Sequence, residues 1–153
     1  MTRAERKRFE ELLQKVFGCK EEVFRGQPLL ISGRKGRIWL TTKRAVSFDL
    51  QPYRIHTIGL YIGRIDEEGR PRLSVEGAEI VARYATRNIV YVDEQAALAY
   101  AQGKDVSPAR MVDCDNRQYV IIMCGNRVIG CGLLVNRVVK NILPKGRLLY
   151  PST

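Results

Sequence analysis

Apolar residues near the start of the chain recur at helical spacing. Phe9, Leu12, Leu13, Val16 and Phe17 fall at i, i+3, i+4, i+7 and i+8, which collects them on one face of a helix. Thr2 and Glu5 have the spacing of a capping box, and Gly18 is the expected stop. The pattern then changes. "LLISGRKGRIWL" reads as a hairpin that turns through Gly33 to Gly36, with Arg34 and Lys35 at its tip and Trp39 on the return strand. A short helix through "TTKRAVSFDL" is expected to close at Pro52. "IHTIGLYIGRI" reads as a strand interrupted by Gly59 and Gly63, positions that mark a bulge or a close backbone approach.

The polar run "DEEGRPR" separates this half from the next and sets the expected boundary, residues 1–72 against 73–153. Beyond it, "AEIVARYA" predicts a short helix and "NIVYV" a strand. "DEQAALAYAQGK" predicts a helix capped by Asp93, packed through Ala96, Ala97 and Tyr100, and stopped by Gly103. "ARMVDC", "QYVIIMC", "RVIGCGLLV" and "RVVKNI" follow as strands, turning at Asp115-Asn116, at Gly125-Asn126 and near Asn136. Such short antiparallel strands predict a small barrel with one helix plugging an end. "QYVIIMC" is apolar on both faces and should be the most buried strand. The expected class is α+β, an N-terminal α+β domain followed by a β pseudobarrel.

Charge narrows the function. The 26 Lys and Arg against 16 Asp and Glu give a net +10, which attracts polyanions before any specific contact forms. After Asp115 there is no carboxylate side chain, yet Arg117, Arg127, Arg137, Lys140, Lys145 and Arg147 all follow it. A surface built for phosphates fits that imbalance better than one kept for solubility. No basic amphipathic helix with a wide apolar face accompanies the charge, so the expected partner is nucleic acid and not a membrane. The charged first residues lack the apolar core of a signal peptide, and the expectation is a soluble, cytoplasmic protein.

Catalytic chemistry finds little support. Cys19, Cys114, Cys124 and Cys131 show no C-x-x-C spacing, and His56 is the sole histidine, so neither a metal nor a cofactor is expected. The cysteines read as small buried side chains in a reducing compartment. No nucleotide cradle or credible acid/base pair is present, and the chain reads as a binder, not an enzyme.

Three constellations stand out. Gly103-Lys104-Asp105 follows a helix and reads either as an exposed phosphate-holding turn or as a plain glycine cap with a solvated lysine. Gly130 and Gly132 strip two side chains from one strand, leaving either a groove or a closely packed barrel corner. "VVKNILPKGRLLYP" crowds Lys140, Asn141, Pro144, Lys145, Gly146 and Arg147 between apolar brackets. There Pro144 and Gly146 fix a loop, while Asn141 either reads a base edge or braces the backbone. Of Tyr84, Tyr91, Tyr100, Tyr119 and Tyr150, at most one or two are expected to stack on bases.

"GKDVSP" after a helix and "RVIGCGLLVNRVVKNILPKGRLL" resemble a PUA domain, most closely the PUA-like tail of the Nol/Nop/Sun (Fmu, RsmF) RNA cytosine methyltransferases. The K-N-x-x-P-K-G motif of that tail is matched by Lys140, Asn141, Pro144, Lys145 and Gly146. The two-part layout also resembles the Nip-type ribosome-biogenesis factors. Nothing in the sequence resembles the S-adenosylmethionine-binding domain or the catalytic cysteines. The resemblance implies a non-catalytic RNA-binding protein that recognises structured rRNA or tRNA and assists RNA modification or ribosome biogenesis. It leaves open a trans-acting subunit of an RNA cytosine methyltransferase, or a docking module among pre-ribosomal proteins. The expected RNA-binding residues are Gly103, Lys104, Asp105, Arg127, Arg137, Lys140, Asn141, Lys145, Gly146 and Arg147.

Overall fold

The computed structural model describes residues 1–41 and 59–149. The helix expected through "TTKRAVSFDL", with Pro52, His56 and Tyr150, lies outside the described residues.

Helix α1 (Arg3–Phe17) opens as its sequence predicts, the Thr2 hydroxyl accepting from the Glu5 N–H at 3.1 Å, and it ends at Gly18 with a left-handed φ of 68°. Strands β1 (Leu29–Ser32) and β2 (Arg37–Leu40) form the expected hairpin, followed by β3 (Leu60–Ile65) and β4 (Pro71–Leu73). These four make an antiparallel sheet in the order β1-β2-β3-β4. The polar run "DEEGRPR" is the turn of the β3–β4 hairpin together with the start of β4. Helix α2 (Val75–Ala82) starts three residues earlier than "AEIVARYA" predicts, because the Ser74 hydroxyl caps the Gly77 N–H at 2.9 Å.

The second sheet runs β6-β5-β7-β8-β9, from β5 (Ile89–Tyr91), β6 (Arg110–Val112), β7 (Gln118–Cys124), β8 (Arg127–Val135) and β9 (Val138–Lys140). All pairs are antiparallel except β5 with β7, which run parallel. Helix α3 (Glu94–Ala101) lies between β5 and β6 in the chain, with the Asp93 carboxylate capping the Ala96 N–H at 2.7 Å. A bridge from Val106 to Val139 curls the β9 edge over.

Strand β7 is buried on both faces, as its composition requires. Tyr119 and Ile121 join a cluster with Phe9, Leu13, Phe17, Ile38, Ile62, Leu73 and Val81, while Val120, Ile122 and Cys124 join Val90, Ala97, Tyr100 and Val139. The first cluster takes residues from both sides of position 72. Polar clamps reinforce the junction. Asn88, wholly buried, donates to the Val16 carbonyl and accepts from the Asp115 N–H at 2.9 Å, and the Arg87 guanidinium donates to the Lys15 carbonyl. Asp66, also buried, accepts from the Arg70 guanidinium at 2.8 Å and from the Tyr119 hydroxyl at 3.0 Å, which fixes the β3–β4 turn against β7.

Candidate nucleic-acid interface

Gly63 decides what the first sheet presents. Its φ is 150°, and a Cβ there would lie 2.2 Å from the Arg72 carbonyl oxygen, so only glycine lets β3 and β4 approach this closely. The register also slips here. Trp39 pairs with Tyr61 but Ile38 pairs with Gly63, so Ile62 is an extra residue, a bulge. Ile38, Ile62 and Leu73 turn into the core. Arg37 and Trp39 share the other face by strand alternation, and Tyr61 joins them opposite Trp39. After the bulge Arg64 returns to that face, opposite Arg72. Simple alternation would put Tyr61 and Arg64, three apart, on opposite sides.

These residues wall one side of a cleft of about 530 Å³. The start of α2 (Ser74, Val75, Glu76), Cys131 of β8, and Ile142, Leu143, Pro144 and Arg147 from the segment after β9 close the other. Among the described residues five cations line it, namely Lys35, Arg37, Arg64, Arg72 and Arg147, against the one lining carboxylate of Glu76. Arg147 donates to Glu76 at 2.6 Å within that second wall, and the Arg72 guanidinium reaches across to the Ile142 carbonyl at 3.4 Å. The Tyr61 ring stands 5.2 Å from that of Trp39, tilted by 50°. Burial raises the Tyr61 hydroxyl above its ordinary value, while the charges of Arg37, Arg64 and Arg72 pull it down. That opposition is what three guanidiniums converging on one ring would produce. A half-buried ring among cations can hold a base by stacking and phosphates by charge.

The residues expected from sequence divide into groups. Lys104, Asp105, Lys140 and Asn141 do come together. The Asn141 amide donates to the carbonyls of Tyr100 (2.7 Å) and Lys104 (3.0 Å), its oxygen accepts from the Leu143 N–H, and its backbone N–H donates to Asp105 at 2.8 Å. Asn141 is therefore the brace of this loop. Asp105 also pairs with Lys140 at 3.5 Å. The turn at Gly103 is an inward cap, not a phosphate cradle. The N–H groups of Gly103 and Lys104 donate to the Tyr100 and Ala99 carbonyls, and Leu148 covers the glycine. Lys145, Gly146 and Arg147 form a short 3-10 turn, of which Arg147 lines the cleft. Arg127 opens β8 and Arg137 sits in the turn beyond its far end, separated by the strand's length, roughly 27 Å.

Of the two readings of Gly130 and Gly132, a groove or a closely packed corner, close packing holds at Gly132. Gly130 and Gly132 face the Tyr100 side chain, and a Cβ on Gly132 would lie 2.3 Å from Val139 and 3.0 Å from the Tyr100 hydroxyl. That hydroxyl donates to the Cys131 carbonyl at 2.7 Å. Gly132 makes room for Val139 and Tyr100 of the core, whereas Gly130 lies nearest Val75 and Leu143, which with Cys131 line the cleft. Sequence reading placed Lys35 at a hairpin tip but did not assign it, Arg37, Tyr61, Arg64 or Arg72 to a site. The available signal was cations on the polar positions of three short strands. Among the other tyrosines, Tyr91 lies under the Arg110 guanidinium at 4.2 Å and Tyr119 is buried.

Residues 87–149 match the family model for the methyltransferase RsmF PUA domain. No match emerges among curated proteins. Among solved structures, a PUA domain from Aeropyrum pernix K1, determined as a tartrate complex, aligns with a TM-score of 0.55 at 14% identity. That alignment covers 95% of this chain and 84% of the other, and at such identity it is a likeness of fold. PUA domains are RNA-binding modules in general. The α+β chain with its curled second sheet thus has the fold of that PUA domain, and its residues 87–149 resemble the RsmF PUA domain.

Proposed function

We propose that this chain is an RNA-binding protein without catalysis of its own, which engages structured rRNA or tRNA in the cytoplasm and assists RNA modification or ribosome assembly. The observation that carries the reading is the cleft, with five cations, an aromatic back wall and a single carboxylate among its described lining residues. Phosphates of RNA satisfy that charge, and their release of counterions supplies sequence-independent affinity. A non-catalytic role fits the thiols. Burial holds Cys131 up to about 12 and Cys19 up to about 11, and it raises Cys114 as well, so these three stay protonated at neutral pH. The thiolate is the nucleophile, and protonated thiols are poor ones.

Crosslinking the protein to cellular RNA and sequencing the bound fragments tests the partner class. Enrichment of defined rRNA or tRNA segments is the expected result, and mRNA-wide or absent crosslinking would refute it. A second reading draws on the RsmF match: the chain acts in trans on an RNA cytosine methyltransferase. Stimulation of such an enzyme by added protein would favour that role.

A further inference from the structure

We propose that the cleft receives one unpaired nucleotide of the RNA, its base laid on the Tyr61 ring and its flanking phosphates held by Arg64, Arg72 and Arg147. This rests on the RNA-binding reading above and specifies which part of an RNA fits. The cleft's volume, about 530 Å³, falls within the roughly 300–1,000 Å³ of sites that enclose a single small ligand. Its walls come from both sides: β2, β3 and β4 on one, the 142–147 segment and the start of α2 on the other. A nucleoside fits between such walls and a helix does not.

The lining gives the same answer by its chemistry. In paired RNA the bases are stacked on one another, and a protein meets mainly phosphates and 2′-hydroxyls. A surface for duplex RNA needs cations alone. Here Tyr61 lines the cleft with Trp39 5.2 Å from it, and Leu73, Val75, Ile142 and Leu143 supply apolar wall. Aromatic and apolar surface has a use only for a base that has left its stack. The cations sit around it, Arg64 and Arg72 side by side as a cross-strand pair and Arg147 from the facing segment. The Arg147–Glu76 pair at 2.6 Å spans one rim, and an entering phosphate would compete with Glu76 for that guanidinium.

The test measures binding of three labelled RNAs to the full chain: a single strand, the blunt duplex of the same sequence, and that duplex with one unpaired nucleotide carrying 2-aminopurine. We expect the single strand and the bulged duplex to bind at least ~10-fold tighter than the blunt duplex, with 2-aminopurine emission quenched on binding. Tyr61→Ala should weaken those two by roughly 10-fold, leave the blunt duplex unchanged and abolish the quench, while Tyr61→Phe retains all three behaviours. Tyr61→Leu preserves apolar bulk without a π face, so it should follow Tyr61→Ala even if the smaller residue disturbs β3. Equal affinity for blunt and bulged duplexes, without quenching in the wild-type protein, would overturn the nucleotide site while RNA binding stood. Failure of all three RNAs to bind would overturn both readings together.

Discussion

The two cationic regions of this protein are built differently. The final quarter is free of carboxylates in sequence, yet in space its cations are either answered by carboxylates from earlier in the chain or dispersed. Lys140 meets Asp105, Arg147 meets Glu76, and Arg127 and Arg137 lie at opposite ends of β8. The β2–β4 face, by contrast, belongs to a half of the chain rich in Glu and Asp. There the bulge at Ile62 and the close approach at Gly63 gather Arg37, Arg64 and Arg72 around Tyr61, with Arg64 also paired to the exposed Glu67 at 3.6 Å. A run of like charge along the chain does not by itself make a focused potential. What makes one is strand register, which decides whose side chains share a face.

The largest expected effect separates bracing from binding. Asn141→Ala removes two donors and an acceptor from the loop that closes the second sheet, and should lower unfolding free energy by about 2–3 kcal/mol in urea titration. The salt dependence of RNA binding by the folded variant should not change. If it flattens, Asn141 belongs to the RNA-facing surface after all.

Acid should expose the brace between the first sheet and β7. Burial by itself would raise the Asp66 carboxyl, but the Arg70 backbone N–H, the Arg70 guanidinium and the Tyr119 hydroxyl together hold it below the usual carboxylate range. A depressed folded value stabilises the protein above the unfolded value, near 4, and that part is lost as pH falls through the folded one. Asp66→Asn should therefore melt below wild type at neutral pH, and the gap should narrow once the pH drops under about 4. A constant gap in thermal melts across that range would deny the carboxylate its role.

Next come the cations themselves. Arg64→Ala with Arg72→Ala should reduce the slope of log affinity against log salt by roughly 1.4 for a single-stranded RNA, about 0.7 for each phosphate that is no longer neutralised. Lys140→Ala with Lys145→Ala should change the slope by roughly half as much or less, because neither lysine lines the cleft. Anisotropy titrations over a salt series measure both pairs, and a larger change from the lysine pair would invert the ranking of the two regions. Smallest of all is Arg137→Gly. Asn136 and Arg137 both have positive φ, at 50° and 67°, the geometry in which Asn-Gly is favoured. The variant should gain on the order of 0.5 kcal/mol in stability and keep its RNA affinity.

Much of the fold was legible from residue order because its signals are local. The α1 and α3 caps, the Gly33–Gly36 hairpin and the glycine and Asn turns around β8 all depend on neighbours within a few positions. The double-sided apolar run of β7 announced its burial, and the K-N-x-x-P-K-G motif announced the PUA likeness. Tertiary structure decided the rest. It placed β5 parallel to β7, filled the space at Gly132 with Val139 and Tyr100, and turned the Gly103 cap inward. Above all, among the described residues it gathered Arg37, Arg64 and Arg72 on a face assembled from three strands. Local conformation follows from short-range sterics and hydrogen bonds, which a sequence states directly. Which side chains face one another across strands depends on a single inserted residue and on packing between distant segments, which only the folded chain can fix.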